Sequence, residues 1–333
     1  MPITLNARAQ CALTSLLLSI SAVVGWPCGV LAAESYPSKP IRFVVPYPPG
    51  GASDVIARLL SQKLTEELAQ PVVVENRPGA NGNIALDLVA KSAPDGYTLL
   101  MGNVGPNAIN AGLYKTLPFD PAKSFSPVLL TNSMPIVLLV KTDSDIGSAA
   151  ELIRFIKKNP GNTSFASGGN GSATHLTAEM FKSTAGLDSV HVPYKGDSPA
   201  MTALMSGDVT FTFATIIAAM PQIKSGRVKP IGIATEKPLE SLPGVATISS
   251  SGVPNFESSS WGGVFVPAGT PSADIALLNE KLNKILAMPQ TRERLEGMGA
   301  QIVGGTPEAL QRYLEAEIGK WSDVIRISGA RVD

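Results

Sequence analysis

The sequence predicts an α/β protein of two lobes, the second inserted in the first. Three observations carry this. Short runs of β-branched residues alternate with stretches of helical period, the pattern of parallel strands joined by helices. The alternation changes rhythm near residues 118–150 and then starts again. The chain has 333 residues, too many for one simple core and suited to two domains of ordinary size.

The elements follow in order. Tyr36-Pro37-Ser38-Lys39-Pro40 leads into a strand at Ile41–Val45. The run Pro46-Tyr47-Pro48-Pro49-Gly50-Gly51 ends it, since proline cannot donate to a sheet and glycine turns the chain. A helix is expected over residues 53–69, with Ile56, Leu59, Leu60, Leu64 and Leu68 on one stripe, and Pro71 stops it. A strand at 72–75 closes on Arg77-Pro78-Gly79. A short helix at 82–92 and a buried strand at 97–101 complete the first unit, which calls for a parallel sheet with helices on both faces.

Residues 128–130 and 136–141 are strand-like, with Asn132-Ser133-Met134-Pro135 as the link. The pattern then repeats: helix Ala149–Lys158, strand 163–166, helix Ala173–Ala185, strand 189–193, helix 199–206 and strand 209–214. A strand at 230–235 leads back to the first lobe. A strand at 262–266 and helices at Ser272–Ala287 and 289–298 follow. The last helix spans 307–327, with Leu310, Tyr313, Leu314, Glu317/Ile318, Trp321 and Ile325 in register. The expected boundaries are 34–136 with 235–333 for the first lobe, and 137–234 for the second. Two connections cross between them, which makes a hinge and a cleft, a favoured place for a ligand.

Residues 1–33 read as a secretory signal, cleaved near Ala32/Ala33. Arg8 supplies charge and residues 12–24 supply the apolar run. That run is about 13 residues, against the ~20 that span a bilayer. A lipid anchor at Cys28 is the other alternative, and Gly25-Trp26-Pro27 makes a poor signal for one. Cys11 and Cys28 both lie in the removed segment, so the mature chain has no thiol chemistry. The expected location is the periplasm.

Composition excludes several classes. Lys+Arg and Asp+Glu both number 27, so no basic surplus favours nucleic acid and no acidic block forms a solvating tail. Two His and two Cys leave too few ligands for a zinc or di-metal centre. No Gly-x-Ser-x-Gly elbow and no His-Glu-x-x-His motif occurs. We therefore expect no catalytic residue, no metal and no cofactor.

Two loops stand out. Pro48-Pro49-Gly50-Gly51-Ala52-Ser53-Asp54 joins a strand to a helix start, where unpaired amides and a partial positive charge suit an anion. Asp54 also has the plainer reading of complementing its own helix. Ser167-Gly168-Gly169-Asn170-Gly171-Ser172-Ala173-Thr174-His175 repeats the arrangement in the second lobe. It is neither a P-loop nor a dinucleotide fingerprint, since no Gly-Lys-Ser/Thr follows and Thr174 stands where the third glycine belongs. Neither loop holds Arg or Lys, so a carboxylate there would be held by neutral donors and helix ends. Lys195, in Val192-Pro193-Tyr194-Lys195-Gly196, is a third candidate, with plain solvation as its alternative. His175 is expected to pack or support rather than touch a ligand, and His191 to be structural.

These residues resemble the Bug proteins, the extracytoplasmic solute receptors of tripartite tricarboxylate transporters. The likeness runs through most of the mature chain. It includes Tyr36-Pro37-Ser38-Lys39-Pro40-Ile41-Arg42, Val45-Pro46-Tyr47-Pro48-Pro49-Gly50-Gly51 with Asp54, and Val74-Glu75-Asn76-Arg77-Pro78-Gly79-Ala80. It continues in Pro94-Asp95-Gly96-Tyr97-Thr98-Leu99, Gly171-Ser172-Ala173-Thr174-His175-Leu176, Val192-Pro193-Tyr194-Lys195-Gly196 and Pro267-Ala268-Gly269-Thr270-Pro271. The resemblance implies a two-lobe type 2 periplasmic-binding-protein fold that closes like a Venus flytrap on a small organic carboxylate. It implies that the loops at 48–54 (Pro49, Gly50, Gly51, Asp54) and 167–172 (Ser167, Gly168, Asn170, Gly171, Ser172) pinch one carboxylate, partly through ordered waters. The far end of the ligand would be read near Asn103, Lys195, Gly196, Ala214 and Thr215. The implied partners are a small and a large membrane subunit of the TctB and TctA kind, with the chain itself a monomer and no nucleic acid. Two departures occur: Lys237-Pro238 replaces a usual basic pair, and Gly262-Gly263 after Trp261 replaces an aromatic, which bears on cleft shape. The rival functions are a ligand-sensing protein for a two-component system and a periplasmic hydrolase, the latter opposed by the missing motifs.

Overall fold

The computed structural model describes residues 36–332; the expected leader and its cleavage point lie outside the described residues. The first run is β1 (Ile41–Val45), α1 (Ala52–Leu68), β2 (Val72–Asn76), α2 (Asn83–Ala90), β3 (Thr98–Asn103) and a short α3 (Asn110–Leu113). Then comes β4 (Phe125–Lys141). The second run is α4 (Ala149–Lys158), β5 (Ser164–Ser167), α5 (Ala173–Ala185), β6 (Val190–Pro193), α6 (Asp197–Ser206), β7 (Phe211–Thr215), α7 (Ile216–Lys224) and β8 (Val228–Ile233). The chain ends in β9 (Ser259–Pro267), α8 (Ser272–Ala287), α9 (Pro289–Gly297), β10 (Gln301–Gly304) and α10 (Pro307–Ser328).

β4 belongs to two sheets. Residues 125–135 pair antiparallel with β9, and residues 130–133 pair with β10 on the other side. From Ile136 onward the partners change to β7 and β8. Outward from β9 the first sheet runs through β3, β1 and β2, the last three mutually parallel. Outward from β7 the second sheet runs in parallel through β5 and β6. The three strands of the first unit are parallel as expected, and the antiparallel β9 and β4 make the full sheet a mixed one. The chain returns from the second lobe after β8 and enters between β3 and β4 as β9, antiparallel to both.

The break expected at 132–135 is absent, because β4 runs straight through it. Proline is tolerated in strands at bulges and at edges. Pro127 sits at a register shift, and Pro135 sits where β10 has ended and β7 has yet to begin. Helix α7 and strand β10 were not foreseen. The apolar run Ile216-Ile217-Ala218-Ala219-Met220 has no decisive period, and Pro221 argues against a helix that nonetheless includes it.

Each lobe has its own aromatic packing. Phe181 packs edge-on against Phe211 and Phe213 in the second, and also against Phe256 of the returning segment. In the first, Phe43, Phe265, Trp261 and Trp321 are almost wholly buried. Helix α10 packs on both β4 and α5, and so touches both lobes. Its stripe of Leu310, Leu314, Trp321 and Ile325 is buried as expected, but Glu317 is buried with it. The Glu317 carboxylate accepts from both indole nitrogens, Trp261 Nε1 and Trp321 Nε1, each at 2.9 Å, and pairs with Lys320.

Removing that carboxylate would orphan two buried donors, at ~1–3 kcal/mol each. Glu317→Ala is expected to lower the unfolding free energy by ~2–5 kcal/mol in urea titration. A loss within ~0.5 kcal/mol of zero would show that the indoles find other partners.

Candidate functional site

A cavity of about 660 Å³ opens between the lobes, within the size range of small-molecule sites. In both sheets the carboxyl ends of parallel strands lead directly into helices, and the helix starts meet here. Gly51, Gly82, Ser172, Gly196 and Thr215 are the residues that open α1, α2, α5, α6 and α7, and all five line the cavity. The first intrahelical bond of α1 is Val55 N–H to Gly51 O, at 3.0 Å, and of α5 Leu176 N–H to Ser172 O, at 3.1 Å. The amides of Ala52, Ser53, Ala173 and Thr174 thus lie ahead of the helical ladder. Each helix start carries roughly half a positive charge, which favours an anion. Lys195 and Asp197 are the charged side chains of the lining among the described residues.

Eight residues singled out from the sequence line this cavity: Pro49, Gly51, Asn103, Gly168, Ser172, Lys195, Gly196 and Thr215. Six lie off the lining: Gly50, Asp54, Ser167, Asn170, Gly171 and Ala214. Asp54 is buried and braces the first loop. Its Oδ2 accepts from Gly50 N–H at 2.9 Å and Arg58 Nε at 3.0 Å, and its Oδ1 from Asn76 Nδ2 at 2.8 Å. Burial pushes its carboxyl up, but the Arg58, Gly50 and Asn76 bonds outweigh this and hold it below the usual range. Ala214 is buried in β7 opposite Val137, and Asn170 is exposed at the loop tip. Gly262 and Gly263 pack inside β9, against Met101 and Leu310 respectively, rather than shaping the lining.

Gly171 instead forms a contact between the lobes. Asn81 Nδ2 donates to Gly171 O at 3.1 Å and to Asn110 Oδ1 at 2.9 Å. Asn110 returns a bond to Asn81 O at 3.2 Å and another to Asn83 Oδ1 at 2.7 Å. Ala80 and Asn81 in this cluster's loop adopt left-handed backbone conformations. Asn81, Tyr47, Thr174 and Asp197 line the cavity without having been singled out. Tyr47 and Thr174 sit inside the quoted motifs and Asn81 and Asp197 directly beside them, and only that adjacency could have drawn attention to them. Asn103 is anchored from behind: its Nδ2 donates to Trp261 O at 3.0 Å, and the Tyr47 hydroxyl reaches its Oδ1 at 3.4 Å.

His175 and His191 support the second loop. Their rings stack at 4.1 Å between centroids, and His191 stacks in turn on Phe165 at 4.8 Å. The Gly171 amide donates to His175 Nδ1 at 3.2 Å, so that nitrogen carries no proton. Ser167 Oγ lies 2.6 Å from His191 Nε2. Burial, with help from His191 and Lys182, lowers the His175 pKa to about 3. Burial and Lys182 lower that of His191 to about 4. Both rings are neutral at physiological pH and act as packing and as acceptors.

Two lobes sharing one strand, with a cavity ringed by helix starts between them, define a solute-binding receptor of the periplasmic-binding-protein class. The family is also clear. The model described as "Tripartite tricarboxylate transporter family receptor" matches residues 56–329, and the chain belongs to that family. It is 36% identical to Protein BugT of Bordetella pertussis over 91% of this chain and 93% of that one. It is similar to the solved structure of Rpa4515 of R. palustris with adipate, with TM-score 0.82 and 35% identity over 89% of this chain and 100% of that one. It is also similar to MatC of Rhodopseudomonas palustris with bound malate, with TM-score 0.79 and 32% identity over 87% and 100%. The family consists of solute-binding receptors and not enzymes.

The buried His175 and half-buried His191 predict a pH dependence. In the unfolded chain they take up protons near pH 6.5, and in the folded chain only near pH 3 to 4. Between these values the unfolded state binds more protons, so stability falls as pH drops through that window. Urea midpoints measured from about pH 7 down to about pH 4.5 should fall more steeply for the wild type than for His191→Gln. Parallel curves would remove His191 from this account.

Proposed function

We propose that the chain is a periplasmic receptor that captures a small organic carboxylate between its lobes and delivers it to a tripartite tricarboxylate-type transporter with a small and a large membrane subunit. The observation that carries the reading is the convergence of five helix starts on one cavity between the lobes. The carboxylate meets the starts of α1 and α5, held by the amides of Ala52 and Ala173 and by the Ser172 hydroxyl. The residues of 34–136 and 235–333 act as one lobe and those of 137–234 as the other, with β4 as one hinge strand. Residues 1–33 direct export and are removed. The adipate and malate bound by the two relatives support the choice of ligand class. A micromolar ligand needs ~8 kcal/mol, so helix ends, hydrogen bonds and closure must act together.

The test is thermal unfolding and titration calorimetry with a panel of mono-, di- and tricarboxylates. One class should raise the melting temperature progressively with concentration. No response to any acid would withdraw the reading.

Closure has its own test at Gly171. A Cβ there would meet Asn81 Nδ2 and Leu113 Cδ2, each at 2.7 Å, at a φ of +76°. Gly171→Ala is therefore expected to hold the lobes apart and weaken carboxylate binding at least tenfold. Small-angle scattering should show less ligand-induced compaction. Unchanged affinity would mean that this contact plays no part in closing.

A further inference from the structure

Asp197 is the acidic side chain of the cleft lining among the described residues. It is the first residue of α6. Its Oδ2 accepts from the Thr215 amide at 3.3 Å and the Thr215 hydroxyl at 2.8 Å, and its Oδ1 from the Thr174 hydroxyl at 3.5 Å. These donors are all neutral. Burial pushes its carboxyl up, against the pull of the Thr215 and Thr174 bonds, and no cation contributes.

Two consequences follow. Asp197 sits at the start of α6 and binds the amide of Thr215, which opens α7. It therefore claims two of the five helix starts, both in the second lobe, and leaves those of α1, α2 and α5 for an anion. It also makes this corner of the cleft acidic. The second carboxylate of a diacid placed there would meet a like charge away from bulk water, whereas an ammonium would complete the pair. Lys195 on the same lining balances Asp197, and a lining with one charge of each sign suits a ligand with one charge of each sign.

We propose that Asp197 makes the cleft selective for an amino-carboxylate, whose carboxylate meets the starts of α1 and α5 and whose ammonium group meets Asp197. This rests on the carboxylate reading above and narrows it. The two ends of the ligand lie close. Ser172 Oγ and Asp197 Oδ1 are joined through the Thr174 hydroxyl alone, 3.1 Å from the first and 3.5 Å from the second. A few carbon atoms between carboxylate and nitrogen span that gap.

The experiment compares matched pairs by titration calorimetry: succinate with 4-aminobutanoate, and glutarate with 5-aminopentanoate. The wild type should bind each amino acid at least tenfold more tightly than its diacid. Asp197→Asn, checked for folding by circular dichroism, should abolish or reverse that preference. A wild type that binds the diacids as tightly or more tightly overturns the assignment, and so does an Asp197→Asn protein with the ratio unchanged. Binding of both series without preference sinks this assignment and leaves the carboxylate receptor standing. No binding of either series, nor of any acid in the wider panel, removes both.

Discussion

The architecture depends on one constraint: a single strand must satisfy two sheets. β4 gives residues 125–135 to β9 and then passes to β7 and β8 at Ile136. Strands to either side of that exchange are rooted in the same backbone. The parallel strands of both sheets direct their carboxyl ends toward this exchange. In α/β sheets, ligands bind at the carboxyl ends of strands because the following helices begin there. The cavity is thus placed by topology before any side chain is chosen.

On the proposed reading, that placement lets the cleft hold an anion with little cationic charge. Partial charges of helix starts and oriented amides are fixed by the fold and need no reorganisation when a carboxylate arrives. A lysine or arginine would bring more charge, but also its own hydration to displace and its own freedom to lose. The first loop shows how fully its polar groups are committed: Asp54 is spent on Gly50, Arg58 and Asn76. The second is held from beneath by stacked neutral rings. His175 accepts the Gly171 amide and His191 meets Ser167. In each lobe titratable groups serve the shape of a loop.

What the sequence revealed and what it hid divide along a physical line. Helices Ala149–Lys158 and Ala173–Ala185 were legible to the residue, because each has a serine that caps it, Ser148 and Ser172, and a clear period behind that cap. The two glycine-bearing loops were legible because breaker residues sit between a strand and a helix. β4 was not, because local composition says break at Pro135 while long-range pairing says continue. Whether a proline donor is missed depends on the neighbouring strand, which local sequence does not show. Asp197 and Asn81 were illegible as site residues for the same reason. Asp197 gains its meaning from Thr174 and Thr215, and Asn81 from Gly171, 90 positions away. Glu317 occupied a helical stripe otherwise apolar, and only the two indoles above it explain a carboxylate there.

The lobe contact also sets the scale of what a ligand must do. A neutral hydrogen bond such as Asn81 to Gly171 is worth ~1 kcal/mol net, which shifts an open–closed equilibrium about fivefold. Carrying that equilibrium from 1:99 to 99:1 takes ~5.5 kcal/mol of preference for one state. A ligand touching only the start of α1, or only that of α5, has equal affinity for both states and shifts nothing. A ligand that reaches both makes contacts available only when the lobes are together. On the proposed reading, neutral donors on each lobe tie affinity to closure.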